Sequence, residues 1–188
     1  MKKAEVGIGT LILFIAMILV AAIAASVFIQ TASSLQNKAL LTGERTKEQV
    51  SAGMQALLLY GEDGSTGNNV DQLRLKVKLI PGSSSMRFNE TLVEVGVSND
   101  SLDMEYMTGG CAAANTSHFT VQSLIEGNNY REGYLQSGDV SMICMRAPRN
   151  MTRDEDLYVR VIPKYAQPLI IESTLPDVIT TTRVFIFP

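Results

Sequence analysis

The sequence lacks most of the side chains on which common catalytic sites are built. It contains no tryptophan, a single histidine (His118) and two cysteines among its 188 residues. It has no HExxH, GxSxG or glycine-rich phosphate-loop motif, and no second histidine, cysteine or acidic residue stands at metal-ligand spacing from His118. These absences predict a protein that is not an enzyme and that needs no cofactor.

The chain also lacks an excess of positive charge. Its 16 lysines and arginines are outnumbered by 19 aspartates and glutamates, which gives a formal net charge of -3 at pH 7. A nucleic-acid-binding domain normally carries a basic patch or a high isoelectric point. We therefore expect protein partners and no nucleic acid.

A third absence is local, because no charged residue and no histidine occurs from Val6 to Asn37. A helix needs about 20 apolar residues to cross the hydrocarbon core of a bilayer, so this stretch is long enough to span a membrane. Lys2 and Lys3 precede it, and the positive-inside tendency keeps them in the cytoplasm and sends the rest of the chain outside. A secretory signal peptide has a shorter apolar core of about 7–15 residues. The sequence therefore predicts a retained membrane helix with an external domain.

Small residues alternate with large ones inside this apolar segment. Small side chains let helix backbones approach closely where packing, and not the exclusion of water, drives association. This texture predicts a helix that packs against other helices, and the alternative is a plain lipid anchor with incidental alanines. The candidate packing residues are Gly7, Gly9, Phe14, Ala21, Ala22 and Ala25.

The helical pattern continues beyond the membrane-spanning length. Apolar or small residues recur every three or four positions from Phe28 to Leu57, with most charged residues off that stripe. We predict one helix over residues 5–58, a rod of roughly 80 Å at about 1.5 Å per residue. Half of it must protrude from a bilayer, and its apolar stripe must be covered by the chain's own domain or by neighbouring copies.

The remainder of the chain has the two-residue period of β-strands. Residues 72–80 alternate apolar Leu73, Leu75 and Val77 with basic residues, which is typical of a half-buried strand. We predict an α+β protein in which residues 59–188 form an all-β outer domain, an immunoglobulin-like sandwich or a barrel. Further strands are predicted at 91–97, 101–107, 118–125, 139–145, 157–162, 168–174 and 183–187.

The run VGIGTLILFIAMILVAAIAASV, residues 6–27, resembles the amino-terminal signature of archaeal flagellins (archaellins), a type IV pilin-like family. GDVSMICM at 138–145 resembles an internal strand entry of that family, and residues 157–188 resemble its carboxy-terminal end. The fifth residue after the cleavage position implied by this resemblance is Gly9, where bacterial type IV pilins typically have glutamate. This difference favours archaellin over pilin.

The resemblance implies a processing and assembly route. Residues 1–4, with Lys2, Lys3 and Ala4, correspond to a basic leader that a prepilin-type signal peptidase removes, so that Glu5 becomes the new amino terminus. The precursor waits in the cytoplasmic membrane until a membrane assembly platform feeds it into the extracellular filament. There it forms a homopolymer, or a copolymer with related archaellins, that serves swimming motility.

Three functions remain open on the sequence. The first is the archaellum filament subunit, the second an adhesion pilin of the same assembly class. The third is a membrane-anchored accessory or stator ectodomain of the motility machinery. The small residues in the apolar segment and the long amphipathic extension of the helix favour a polymer-forming subunit over a membrane-anchored ectodomain.

The predicted external location of the domain favours a disulfide between Cys111 and Cys144. Outside the cell a single matched pair is typical of a disulfide, and closing a loop of about thirty residues stabilises a domain by roughly 3 kcal/mol. The alternative is that one or both are small buried side chains.

The predicted outer domain also carries polar sequence patterns. Four Asn-X-Ser/Thr sequons predict N-glycosylation at Asn89, Asn99, Asn115 and Asn150. A glycine-containing loop carries several side-chain oxygens, which are the ligands that hard cations such as Ca²⁺ prefer. Their spacing does not match the EF-hand pattern, and the same residue types are common in ordinary turns. These ligands are Asp63, Ser65, Asn68, Asn69 and Asp71. We therefore expect no metal site.

Overall fold

The computed structural model describes residues 2–62, 69–179 and 182–187. The chain divides into two compact units, residues 1–46 and residues 47–188. The first unit is helical and the second contains all the strands of the described residues. This arrangement confirms the predicted α+β class, with one long amino-terminal helix followed by a β domain.

The helix α1 runs without a break from Lys2 to Ser51. Its 50 residues correspond to about 75 Å. The backbone of the predicted leader, residues 2–4, is helical and continuous with the rest of α1.

The predicted carboxyl end of the helix, residue 58, is wrong, and the β domain begins before residue 59. Met54–Glu62 form strand β1, so the chain leaves the helix seven residues earlier than the periodicity indicates. Gly53 is a poor helix former. Its carbonyl accepts a hydrogen bond from the Ile80 backbone N–H at 3.0 Å, and a Cβ at position 53 would lie 2.9 Å from the Ile80 Cδ1. The helix ends here because the backbone of residue 53 pairs with the β domain.

Eleven strands are found among the described residues of the second unit, and every strand predicted from alternation is present. Sequence patterns missed β1 and the two-residue pair β3 and β7. The strands are β1 (Met54–Glu62), β2 (Val70–Leu79), β3 (Met86–Arg87), β4 (Thr91–Val97), β5 (Asp100–Tyr106), β6 (His118–Ile125), β7 (Tyr134–Leu135), β8 (Val140–Met151), β9 (Asp156–Pro163), β10 (Leu169–Thr174) and β11 (Arg183–Phe187).

Nine of these strands form one curled sheet in the order β10-β9-β4-β5-β6-β8-β2-β1-β11. All neighbours pair antiparallel except β5 and β6, whose short parallel contact joins a four-stranded half to a five-stranded half. At the other edges the Ser173 hydroxyl of β10 donates to the Ile186 carbonyl of β11 at 2.9 Å. Residues of both halves share one buried core, so the halves face each other as the layers of a sandwich.

The core lies between the layers and follows from the strand period. Inward positions of β2 and β4 are valine and leucine with no exposed surface, such as Leu73, Leu75, Val93 and Val95. Their neighbours in sequence point to the outside, as the pleat requires. The outward side chains of both layers are therefore free to carry charge.

The end of α1 is tied to the β domain by hydrogen bonds. The Ser83 hydroxyl accepts from the Gly53 backbone N–H at 3.0 Å, and it lies 3.4 Å from the Ser51 carbonyl. The Gln167 backbone N–H donates to the Ala52 carbonyl at 3.0 Å. These bonds satisfy backbone groups that a helix terminus otherwise leaves open.

Candidate functional site

Residues 7–37 of α1 carry no charge and are exposed. The structure has one helix among its described residues that is long and apolar enough to cross a membrane, Gly7–Lys47, and none of its most apolar window is buried. Phe14 is 64% exposed and Phe28 is 75% exposed. A continuous apolar surface of this extent marks a membrane or protein interaction site.

Most of the predicted packing residues share one side of this helix. At about 100° of rotation per residue, Gly7, Phe14, Ala21, Ala22 and Ala25 fall within a sector of about 100°. Gly9 falls on the opposite side. Apart from the adjoining residues and the nearby helix backbone, no atom of the described residues lies within 4 Å of a Cβ built on Gly7 or Gly9. The small residues therefore leave open space that another helix can fill.

The threonine hydroxyls of α1 form hydrogen bonds within the helix. Thr10 donates to the Gly7 carbonyl at 2.9 Å, Thr31 to the Phe28 carbonyl at 2.9 Å, and Thr42 to the Lys38 carbonyl at 2.8 Å. A hydroxyl that bonds back to its own helix presents little unpaired polarity to its surroundings. These threonines can therefore enter an apolar environment without needing water.

Comparison with known proteins decides the family. The model of the family described as archaeal-type flagellin matches residues 4–173, which is most of the chain. The chain belongs to the archaeal-type flagellin family.

Relatives of this family member match over nearly its whole length. Flagellin B1 of Methanococcus voltae is 33% identical over 96% of this chain and 93% of its own length. Flagellin B1 of Methanocaldococcus jannaschii is 29% identical, covering 96% and 94% of the two chains. A solved structure of the archaeal flagellum of Methanospirillum hungatei has the same fold, with a TM-score of 0.72 at 16% identity, covering 96% of this chain and 99% of that chain.

In this flagellin-family chain a disulfide joins Cys111 and Cys144. Cys144 lies on the outward side of β8, and Cys111 begins a single 3-10 turn in the β5–β6 connection. The turn covers a small second apolar cluster of Tyr60, Met142 and Cys144, all buried. The bond therefore holds a long crossing loop flat against the outside of the five-stranded layer.

The four sequon asparagines are exposed and occupy different parts of the outer domain. Asn99 lies in the β4–β5 turn and Asn150 near the end of β8, and Arg149 links these regions by donating to Asp100 at 3.0 Å. Asn99 and Asn150 therefore lie in neighbouring parts of the outer domain. The Asn115 side-chain oxygen accepts from two backbone N–H groups, those of Ser117 and His118, each at 2.8 Å.

The sequon at Asn89 differs from the other three. Its third residue, Thr91, is buried, and the Thr91 hydroxyl donates to the Arg87 carbonyl at 2.9 Å. The hydroxyl residues of the other three sequons are exposed. We therefore expect Asn89 to be the sequon least accessible in the folded domain.

The suggested hard-cation loop lies mainly outside the described residues. Asp63, Ser65 and Asn68 fall in the undescribed range 63–68. Asp71 is described, and its Oδ2 accepts from the Arg146 Nη2 at 2.9 Å. Over the described residues, no group of three or more His, Cys, Asp and Glu side chains is arranged to hold a metal ion.

Glu155 is the carboxyl group that most clearly couples stability to pH. Burial raises its pKa, but the Thr152 backbone N–H at 3.0 Å and the Arg149 guanidinium at 2.8 Å outweigh burial and hold the pKa below its usual value. A carboxyl whose pKa is lower in the folded state stabilises the fold above its unfolded pKa of about 4.3. That contribution is lost as the pH falls through the folded pKa.

We expect Glu155→Gln to flatten the acid dependence of unfolding. The wild-type free energy of unfolding should fall more steeply than that of the variant between pH about 5 and 3, by about 1 kcal/mol or less because Arg149 is partly exposed. Denaturant titrations at a series of pH values measure the difference. Parallel curves for the two proteins would contradict this role of Glu155.

Proposed function

We infer that the chain is a structural subunit of the archaeal flagellar filament. The observation that carries this function is the exposed apolar surface of α1 in a chain of this family. Subunits assemble with one another and with related archaellins by burying that surface in a bundle of helices, and the β domains lie outside the bundle. The polymer is extracellular, and its role is structural and not catalytic.

The apolar helix meets two environments in turn on the proposed route. It first spans the cytoplasmic membrane, and it then moves into the filament core when the assembly platform takes up the subunit. Lipid and a helix bundle are comparably apolar, so the transfer has little hydrophobic cost. The internally bonded hydroxyls of Thr10, Thr31 and Thr42 suit both environments.

The leader must be removed before the apolar helix can move from the membrane into the filament core. Lys2 and Lys3 carry charges that are expensive to bury in an apolar bundle. A prepilin-type signal peptidase would remove them by cutting after Ala4, which leaves Glu5 as the first residue. The unprocessed chain would remain in the membrane.

The external domain is the proposed site of covalent modification. Asn99, Asn115 and Asn150 are exposed together with the hydroxyl residues of their sequons, so they are the favoured N-glycosylation sites. Asn89 would be modified less. The Cys111–Cys144 disulfide suits the same oxidising exterior.

Family membership favours the filament over the two other assemblies considered above. An adhesion pilin would have the same helical surface, but the match is to archaeal-type flagellin. A stator-like ectodomain that stays in the membrane would have no use for small residues along one side of its helix.

Mass spectrometry of surface filaments tests the proposal. Filaments sheared from cells that express the chain should contain it as a band whose amino-terminal peptide begins at Glu5. Peptides containing Asn99, Asn115 or Asn150 should carry glycan mass. Recovery of the chain only from membranes, with Lys2 and Lys3 retained, would contradict the function.

A further inference from the structure

The outer surface of the five-stranded layer is basic. Because Leu73, Leu75 and Val77 point inward, the basic residues between and beside them point outward. Arg146 on β8 and Arg183 on β11 lie on the same surface, in register with Gln72 and Glu62. We call this surface the basic face, and it consists of Arg74, Lys76, Lys78, Arg146 and Arg183.

Within the described strands, two lysines of the basic face have no acidic residue directly across from them. Lys76 lies between Leu58 and Met142, and Lys78 lies between Gln55 and Val140. By contrast, Glu62 pairs with Arg74 and Arg183, each at 2.6 Å. The positive charge of Lys76 and Lys78 is therefore not neutralised by the strands beside them.

The outer surface of the four-stranded layer is acidic. Asp103 on β5 lies directly opposite Glu94 on β4. Like charges directly opposite each other destabilise a sheet, so this pair costs stability in the single subunit. Arg160 donates to Glu94 at 3.3 Å, but it has no such bond to Asp103. We call this surface the acidic face and define it by its carboxylates, Glu94, Asp103, Glu105, Asp156 and Glu172, beside which Arg160 is also located.

Both faces also expose apolar side chains. On the acidic face Leu92 and Ile162 are neighbours across β4 and β9, and they are 37% and 39% exposed. On the basic face Phe185 is 64% exposed and lies 6.1 Å from the Tyr60 ring, measured between ring centroids. Each face therefore combines one sign of charge with apolar area, as a docking surface does.

We propose that the basic face of one outer domain docks against the acidic face of the next copy in the polymer. The inference rests on the proposed function, because it needs many copies arranged in a filament. A contact between two different faces of identical subunits is heterologous, and repetition of such a contact gives an open helical assembly. Charge also excludes the wrong arrangement, since two basic faces or two acidic faces repel each other.

The size of the faces explains why the contact belongs to the polymer and not to free subunits. Strands of this length and number give a face about 20 Å by 20 Å, or a few hundred Å² per copy. That is small for a stable dimer, whose interfaces bury about 800 Å² per partner. When α1 already holds two copies together, the second contact is effectively intramolecular and forms at a high local concentration. The face contact therefore sets the spacing of outer domains around a core that the helices build.

Charge reversal in full-length chains tests the proposal. Lys76→Glu with Lys78→Glu replaces the two lysines that have no acidic residue across from them, and Asp103→Lys with Glu105→Lys replaces two of the five carboxylates of the acidic face. Each pair of changes should lower the ratio of filament to membrane protein about tenfold, because it removes attraction at every contact and adds repulsion against the opposite face. The chain with all four changes exchanges the charges at these four positions and should recover filament yield to within about twofold of wild type.

A matched control separates the faces from net charge. Arg131→Glu with Arg153→Glu changes the net charge as much as the lysine reversals do, but these arginines lie in connections outside both faces. This variant should form filaments like wild type. Thermal unfolding of each detergent-solubilised chain establishes that the domains are folded.

The outcomes distinguish the face contact from filament formation itself. Wild-type yield from both pairs of reversals would overturn the contact while the filament function stands. Failure of the four-change chain to recover, with a folded outer domain, would also overturn it. Absence of filaments from the wild-type chain would instead contradict the proposed function.

Discussion

Removal of the Cys111–Cys144 disulfide should lower the free energy of unfolding of the outer domain by about 3–4 kcal/mol. The bond closes a loop with a sequence separation of 33 residues. In the chain-entropy account, a loop of this length restricts the unfolded chain by about that much. For a domain of this size the loss corresponds to a fall in the midpoint of thermal unfolding of about 10 °C or more.

The double variant Cys111→Ala with Cys144→Ala is the direct test, followed by circular dichroism during heating. Reducing agent should lower the midpoint of the wild type toward that of the variant, and it should leave the variant unchanged. Ala112→Ser is the matched control, because Ala112 is exposed in the same 3-10 turn and forms no covalent bond. Equal midpoints for the wild type and the double variant would contradict a stabilising role.

Besides stabilising the whole outer domain, the disulfide holds the loop that contains Cys111 against the sheet. The Cys111 turn covers Tyr60 and Met142 on the outside of the sheet. The Tyr60 hydroxyl lies 3.3 Å from the Met142 sulfur and is buried there. Without the bond this loop should open before the core does, so amide exchange in residues 107–117 should increase more than exchange in β2.

Much of the fold could be predicted because alternation is a strong signal. Residues 72–80 and 91–97 place every second side chain in the core, so their strand character is visible in the sequence. The run Met54–Glu62 contains three consecutive leucines and has no clear period of two. Such a run fits a helix stripe as well as a strand, and only its pairing with β2 and β11 decides between them.

Features that depend on strand register could not be predicted. Gly96 sits under the Tyr158 ring, and Asp103 faces Glu94, because β4 pairs with β9 on one side and β5 on the other. The separation of charge into a basic and an acidic face is hidden in a chain whose net charge is only -3. By contrast, once α1 is continuous, helix geometry alone places Phe14, Ala21, Ala22 and Ala25 on one side of it, because that geometry is local.

The side of α1 that carries Ala21, Ala22 and Ala25 should be the part of the helix least tolerant of added volume. Ala22→Leu and Ala25→Leu keep the segment apolar, so the protein should still insert in the membrane at wild-type levels. In a packed bundle the extra methyl and methylene groups strain each contact by about 1–3 kcal/mol.

Polymerisation repeats this cost at every subunit, so the fall in filament yield should be about tenfold or more, since about 1.4 kcal/mol is a factor of ten in an equilibrium constant. Filament yield relative to membrane level is the measurement, and Ala22→Ser and Ala25→Ser are the matched controls. Serine is small, and its hydroxyl can bond back to a carbonyl of the same helix as Thr31 does, so these variants should assemble normally. Lipid accommodates a leucine side chain without strain, whereas a neighbouring helix backbone does not. Unchanged filaments from both leucine variants would therefore show that this side of α1 is not the packed side in the filament.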